Sequence, residues 1–163
     1  MDSELLAKAH AFATSNAYTL GDRLGFGIHG AVWNAVNHDT GVRVAMKVFE
    51  HDLFFRREND AYERLQEHDV VQICGCHVPQ LVMADPEVPA MMLTVVARPF
   101  VLDFAGSRLD EPELFPLEIV QEFYAEKEAQ FGSDWPRALK VVRALESFGI
   151  YLTDISPSNI ALD

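Results

Sequence analysis

The sequence GFGIHG at residues 25–30 decides the predicted fold, because the chain on both sides of it has the character of a β-strand. The residues before it, Tyr18–Leu24, and the run AVWNAVN at 31–37 are rich in apolar, β-branched and aromatic side chains. A dinucleotide-binding G-x-G-x-x-G loop needs a helix directly after the third glycine, so that interpretation is disfavoured. Two alternatives remain: a glycine-rich hairpin whose backbone amides close over phosphates, and the same hairpin without a ligand.

A third strand, predicted at residues 42–49 (VRVAMKVF), carries a lysine among apolar side chains. Strand alternation separates two faces, with Val42, Val44, Met46 and Val48 on one and Arg43, Ala45, Lys47 and Phe49 on the other. A lysine in the middle of an apolar strand is costly unless it has an anionic partner. The alternative for Lys47 is a solvated position on an edge strand.

The next predicted helix, at residues 54–67, supplies an anionic partner. Glu58 falls on its apolar face, at helical spacing from Ala61, Tyr62 and Leu65. This face packs on the sheet, so we expect Glu58 to point at Lys47. Glu63 lies off this face, and the alternative for Glu58 is a surface carboxylate in the charged run RREND.

The remaining periodicity predicts an α+β fold with segregated layers. The further elements are a helix at 3–14, a hairpin turn at 38–41 in which Asp39 bonds its own backbone and Gly41 takes a positive φ, strands near 80–83 and 90–96, and helices starting near Pro116 and after Asp134, the second ending at Gly149. The first half is therefore rich in strands with one inserted helix, and the second half is helical. The join is predicted near Arg98–Phe100, and a cleft there is a natural ligand site.

Composition excludes several classes of function. The chain has 163 residues, the size of one domain, and a formal net charge of −12. Nucleic acid and anionic membranes repel an acidic surface, so neither is expected as a partner. Cys74 and Cys76 are too close in sequence for an unstrained disulfide, which favours a reducing cytoplasm. No signal peptide is predicted at the N-terminus, and the most apolar run, Ala90–Ala97, is too short to span a bilayer.

Three other features each have two interpretations. Cys74-Gly75-Cys76-His77, with His68 as a distant fourth ligand, suggests a metal site, but a connector packed against the sheet is favoured because zinc sites use wider cysteine spacing. His29, at the tip of the glycine hairpin, is either a phosphate contact when protonated or an exposed loop histidine. Asp154 is either a carboxylate that takes part in the chemistry of the site or the cap of a turn, since the residues around it are turn formers.

Four motifs in this order resemble the protein-kinase-like fold. They are GFGIHGAV (25–32), VAMK (44–47), RRENDAYERL (56–65) and DISPSN (154–159), which match the glycine-rich loop, the strand lysine, the helix with its glutamate and the catalytic loop D-x-x-x-x-N. The helix resembles that of choline and aminoglycoside phosphotransferases. The resemblance covers about residues 18–163 and implies a single domain, 1–163, with a sheet lobe (15–97), a hinge (98–101) and a reduced helical lobe (102–163).

The resemblance also implies a role for each matching residue. Gly25, Gly27 and Gly30 would cover the phosphates of ATP; Val32 and Ala45 would touch the adenine; Ala97–Val101 would offer backbone groups to its edge; Lys47, held by Glu58, would bind the α- and β-phosphates; Asp154 would accept the substrate hydroxyl proton; and Asn159 would hold Mg²⁺. Phosphoryl transfer requires these residue types because its catalysis is mostly positioning and charge neutralisation.

The sequence also departs from the family pattern at the catalytic loop. Leu152-Thr153 stands where the family has His-Arg, and Ser156 stands where it has a lysine. In the family an Asp-Phe-Gly motif follows the catalytic asparagine and supplies the main magnesium ligand, but here only four residues follow Asn159. We therefore expect the second metal ligand to be missing, with Asp163 a poor substitute.

The matches to the family pattern and the departures from it leave three possible functions. The first is a minimal ATP-dependent phosphotransferase that moves the γ-phosphate to a hydroxyl of an unknown substrate. The second is a pseudokinase that binds nucleotide or a protein partner without efficient catalysis, because one metal ligand is missing. The third is an unrelated α+β interaction domain that matches the motifs by chance.

Overall fold

The computed structural model describes residues 2–163 and has a mixed α+β architecture, as predicted. The helices are α1 (Asp2–Ser15), α2 (Asp52–Glu67), α3 (Leu117–Phe131) and α4 (Trp135–Ser147). The strands are β1 (Tyr18–Gly27), β2 (Gly30–Asn37), β3 (Arg43–Phe49), β4 (Gln72–Ile73), β5 (Cys76–His77), β6 (Leu81–Asp85), β7 (Ala90–Thr94), β8 (Phe100–Val101), β9 (Arg108–Leu109), β10 (Ile150–Tyr151) and β11 (Ile160–Ala161).

The main sheet has five antiparallel strands in the order β1-β2-β3-β7-β6. Its first two strands form the predicted glycine-rich hairpin, with Gly27 opposite Gly30 at the tip. The predicted alternation of β3 is confirmed from Val44 onward, because Val44, Met46 and Val48 lie in the cluster covered by α1, whereas Lys47 and Phe49 lie on the opposite face. Val42 precedes the strand and is exposed, contrary to the prediction.

Two apolar cores lie on the two faces of the main sheet. Helix α1 covers one face, where Leu5 and Phe12 belong to the same buried cluster as Met46 of β3. Helix α2 covers the other face, and its buried side chains include Tyr62 and Leu65 in a larger cluster that continues to α4. The helical period of the sequence and the observed burial of α2 therefore agree.

Short strands bring distant parts of the chain together below the main sheet. One small sheet has the order β11-β8-β5-β4, and β9 pairs with β10 in another. The backbone N–H of Leu102 donates to the carbonyl of Asn159 at 3.0 Å, and the Thr153 hydroxyl donates to the carbonyl of Gly106 at 2.7 Å. The segment 102–106 therefore lies alongside the loop 153–159. The second half of the chain was predicted to be helical, but it also contains these short strands.

Several local details differ from the predictions for physical reasons. In the turn at 38–41, Gly41 has the predicted positive φ of 70°, but the Asn37 carboxamide rather than Asp39 accepts the turn N–H groups. Asp134 precedes α4 without a side-chain capping bond because it sits in a short 3₁₀ turn with helical dihedrals. Helix α3 has its predicted start, but only its last residue, Phe131, is buried.

The described helices include none that is both long and apolar enough to cross a membrane.

Candidate functional site

Lys47 of β3 lies at the centre of a buried charge cluster. Its side chain is buried on the α2 face, and its Nζ donates to Glu58 Oε2 at 2.6 Å and to Asp103 Oδ1 at 3.1 Å. The geometry confirms the predicted pairing of Lys47 with Glu58, which is only 1% exposed. Asp103 was not predicted at this position.

The cluster holds two carboxylates against one ammonium, and its pKa values reflect this imbalance. Burial lowers the pKa of Lys47, but the charges of Glu58 and Asp103 outweigh it, so the net shift is upward and the ammonium persists. Burial raises the pKa of Glu58, and the Lys47 charge and a backbone hydrogen bond from Phe104 oppose the shift. The negative charges keep the proton on Lys47, whereas burial is the main reason that the pKa of Glu58 is raised.

A cavity of about 440 Å³ opens between the glycine hairpin, Lys47 and the end of β7. Its lining is Leu24, Gly25, Val32, Ala45, Lys47, Glu58, Tyr62, Pro79, Leu93, Thr94, Val95, Val96, Phe100, Leu102 and Asp103. The structure thus brings together the predicted residues Gly25, Val32, Ala45 and Lys47. Of the predicted segment 97–101, Phe100 lines the cavity, and the last residue of β7, Thr94, lines it together with residues 95–96. The walls are mostly apolar with charged groups at one end, which is typical of a small-molecule pocket.

The three predicted glycines differ in what the fold requires of them. A Cβ at Gly25 or Gly27 would meet no atom within 4 Å, so open space lies over both positions. Gly30 has a φ of 147°, and a Cβ there would lie 2.1 Å from the carbonyl oxygen of Val48. Gly30 is therefore required by the close approach of β2 and β3, whereas packing does not explain Gly25 and Gly27.

Asp154 and Asn159 lie on one loop, as predicted. The Asn159 side-chain amide donates to the Asp154 carbonyl at 3.4 Å, which leaves the Asn159 Oδ1 and the exposed Asp154 carboxylate without a partner on this loop. Asp154 lines a second cavity of about 570 Å³, together with His29 at the hairpin tip and Arg57 of α2. His29 packs on Phe54 with the ring centroids 4.0 Å apart, so it is less exposed than predicted.

Asp103 is the site residue that the sequence analysis missed. It lies in Asp103-Phe104-Ala105-Gly106, between β8 and β9, with a left-handed φ of 69°. Few residues other than glycine adopt this conformation, and it is concentrated at functional positions. Its sequence, Asp-Phe followed closely by glycine, was a usable signal, but the second metal ligand was expected only in the chain after Asn159.

The other candidate ligands lie away from this cluster. Asp163, considered as a substitute ligand, pairs with Arg137 at 3.6 Å and its backbone carbonyl accepts from Arg98. Cys74 and Gly75 both have positive φ and form the two-residue turn between β4 and β5, the hairpin turn that requires this geometry. Within residues 2–163, no three His, Cys, Asp or Glu side chains are grouped as a metal site.

A scan against models of known protein families finds no match to this chain, and a search of curated proteins finds none either.

Proposed function

We propose that this protein binds ATP in the cavity at Lys47 and transfers its γ-phosphate to a hydroxyl, in a protein-kinase-like arrangement. The observation that carries the proposal is the position of Asp103, whose carboxylate lies 3.1 Å from Lys47 Nζ. It comes from a segment that is hydrogen-bonded to the Asn159 loop. In this proposal Asp103 supplies the second magnesium ligand from a different place in the sequence than the family pattern predicts.

The strand pairings support this interpretation of Asp103. β8 precedes Asp103 and pairs with β11, which follows the Asn159 loop; β9 follows Asp103 and pairs with β10, which precedes Asp154. Asp103-Phe104-Ala105-Gly106 is similar to the family's Asp-Phe-Gly with one residue inserted. We infer a kinase-like site in which the metal-binding segment comes before the helices α3 and α4 rather than after the catalytic loop.

The chemistry of the donors fits Mg²⁺ bound together with phosphates. Asp103 and Asn159 offer carboxylate and amide oxygens, the hard ligands that Mg²⁺ prefers, and Mg²⁺ sites commonly combine one or two protein ligands with substrate phosphates. A site of this kind can bind Mg²⁺ without a group of three acidic or histidine ligands, because the phosphates provide further ligands. A bound Mg²⁺ would supply charge neutralisation for the transferring phosphoryl group.

The protein side chains divide the remaining work. Lys47, kept cationic by Glu58 and Asp103, would bind the α- and β-phosphates, and the backbone at Gly25 would lie over them. Val32 and Ala45 provide an apolar wall for the adenine. The exposed Asp154 would orient the substrate hydroxyl and accept its proton.

Thermal melting with ATP tests the binding part of the proposal. Nucleotide at about a hundred times its dissociation constant adds roughly 2.7 kcal/mol, which raises Tm by about 5–10 °C in a domain of this size. The shift should be larger with Mg²⁺, and Asp103→Asn should remove the magnesium-dependent part. Asp163→Asn, which changes the same charge on an exposed side chain, is the matched control. No shift in the wild type under saturating MgATP would reject nucleotide binding.

Release of radiolabelled phosphate from ATP tests transfer without knowledge of the substrate, because water replaces the acceptor hydroxyl. Asp154→Asn should reduce the rate at least about a hundredfold while leaving the ATP-induced Tm shift intact. A nucleotide-binding module without transfer is the second candidate, and Ser156 in place of the family's lysine favours it. A full Tm shift with no release that depends on Asp154 would support that candidate instead.

A further inference from the structure

Two adjoining cavities beside Asp154 share the same basic side chains. The first, of about 480 Å³, is lined by Arg57, Ser107 and Arg108 among others. The second, of about 570 Å³, also contains Arg57 and Arg108 in its lining and reaches Asp154. The nucleotide cavity contains neither arginine. A ligand that spans the two cavities would therefore contact the arginines and the Asp154 carboxylate together.

We propose that Arg57, Ser107 and Arg108 bind an anionic group, a phosphate or a carboxylate, carried by the hydroxyl substrate. The substrate class is thus a hydroxylated molecule with a negatively charged group near the hydroxyl. That the anion belongs to a substrate rests on the proposed function. The anion site itself rests on the positions of Arg57, Ser107 and Arg108 at these cavities.

Arg57 is a half-buried cation without an anionic partner. Among the residues that the structure describes, it takes part in no ion pair, although the protein carries a formal net charge of −12. Its neighbour Arg56 is exposed and pairs with Asp52 at 2.7 Å. An unpaired guanidinium at a cavity wall presents a planar set of donors that suits a phosphate or carboxylate.

Ser107 adds an unpaired hydroxyl at the wall of the same cavity. The residue is 1% exposed, and its Oγ has no hydrogen-bond partner among the described residues. Buried hydroxyl groups are usually paired, so this unpaired group beside the cavity is a candidate donor to a ligand oxygen. It lies directly beside Arg108, which is the third member of the site.

Acidic side chains also face these cavities and limit where an anion can bind. Asp60, Glu111 and Glu113 are in the lining, and Glu113 approaches Arg108 at 3.8 Å with both side chains more than 40% exposed. This contact is loose enough for a bound anion to replace it. The anion would lie between Arg57 and Arg108 in the cavity that Ser107 lines, and the hydroxyl end of the ligand would extend into the cavity that reaches Asp154.

Titration with inorganic phosphate, at constant ionic strength maintained with chloride, tests the site. It is followed by Tm and by amide chemical shifts, in the presence of a saturating non-hydrolysable ATP analogue so that the phosphate-binding region at Lys47 is filled. A parallel titration with acetate distinguishes phosphate from carboxylate. We expect saturable binding of at least one of the two anions, weakened about tenfold by Arg57→Gln.

Two variants separate binding from folding. Arg56→Gln removes the same charge one residue away and should leave anion affinity unchanged. Ser107→Ala removes an unpaired hydroxyl, so the free protein should be no less stable, whereas anion affinity should fall several-fold. Failure of both anions to bind saturably, or equal affinity in the wild type, Arg57→Gln and Ser107→Ala, would overturn the proposal.

The same samples separate failure of the anion site from failure of the nucleotide site. The analogue alone should raise Tm through Lys47, in Arg57→Gln as in the wild type. A phosphate or acetate response that depends on Arg57, seen without any analogue response, would support the anion site and reject the proposed nucleotide binding. An analogue response without any anion response would reject only the anion site.

Discussion

Lys47 is stabilised by two carboxylates that reach it from very different distances along the chain. Glu58 is on the next helix, so strand alternation and helical period were enough to predict the pair. Asp103 is 56 residues away, and no local pattern connects it to Lys47. Periodicity therefore could not predict Asp103, which gives the site its excess negative charge, although its own short motif was present in the sequence.

Removal of Lys47 should be far more costly than removal of the whole pair. Lys47→Met leaves Glu58 buried without its cation, and loss of one partner of a buried pair costs about 3–5 kcal/mol. Lys47→Met combined with Glu58→Gln also removes the buried carboxylate that Lys47→Met alone leaves without its cation, and only the partly exposed Asp103 keeps its charge. The double variant should therefore be more stable than the sum of the single changes predicts. Urea unfolding of the four proteins measures this coupling, and strictly additive effects would contradict it.

His29 should make stability depend on pH. Burial lowers the pKa of its imidazole; Asp103 and Asp154 oppose the shift, while Lys47 and Arg57 reinforce it. Since the folded-state pKa lies below the ordinary value of about 6.5, the unfolded chain binds more protons in that range, and stability decreases as the pH falls through it. Urea unfolding at about pH 7.5 and about pH 5.5 should show this loss, and it should be smaller in His29→Gln. An identical loss in both proteins would exclude His29 as its source.

Among the elements, the β1–β2 hairpin combines a glycine that the fold requires with glycines that it does not. The space over Gly25 and Gly27 is open, while Gly30 lies against the backbone of β3. The sequence alone does not distinguish a glycine required by backbone packing from one that packing does not explain, because both are glycines at the expected spacing.

Alanine substitutions in this hairpin should separate folding from binding. Gly30→Ala should destabilise the protein by more than about 2 kcal/mol, because the new Cβ meets a backbone oxygen and the φ is unfavourable. Gly25→Ala should change stability by less than about 1 kcal/mol, because the methyl group meets no protein atom, and should weaken ATP binding, because Gly25 lines the cavity and the methyl group takes up space there. Tm without and with MgATP gives both results. A Gly25→Ala protein that binds ATP normally would remove this glycine from the proposed phosphate site.

The long elements could be predicted from sequence, but the short strands could not. β3 and α2 contain enough residues to display periods of two and 3.6, so their faces and the Lys47–Glu58 pair followed. β8 to β11 have two residues each, and two residues carry no periodicity. Helix α3 was predicted correctly as a helix, but its apolar side is only partly buried, with Phe123 and Tyr124 packed against the core and Leu117 exposed.

At the scale of the whole molecule, the site depends on contacts between the two halves of the chain. Ile160 of β11 is buried in the larger core and pairs with Val101 of β8, two residues before Asp103. The Arg64 guanidinium donates to Asp110 at 2.5 and 3.0 Å and so joins α2 to the segment after β9. The α+β class was predictable from the order of elements, whereas these pairings between distant segments of the chain could be seen only in the tertiary structure.

Loss of the Ile160 side chain should weaken both the fold and nucleotide binding. Ile160→Ala should cost about 2–4 kcal/mol, and it should also reduce ATP affinity because β11 supports the segment that carries Asp103. Leu5→Ala is the matched control: it creates a similar cavity in the separate core beneath α1, and should destabilise comparably without changing ATP affinity. Calorimetric titration with MgATP compares the two variants, and equal affinities would show that β11 does not position the site.

The pairing of β8 with β11 also has a consequence for synthesis on the ribosome. The two strands are about sixty residues apart, so their contact closes a long loop and is slow to form compared with local contacts. A nascent chain can bring Glu58 to Lys47 soon after α2 emerges, whereas Asp103 gains its supporting strand only when residues 160–161 have left the exit tunnel. A nascent chain halted before that point would therefore have the ammonium and one carboxylate in place but would not yet retain MgATP.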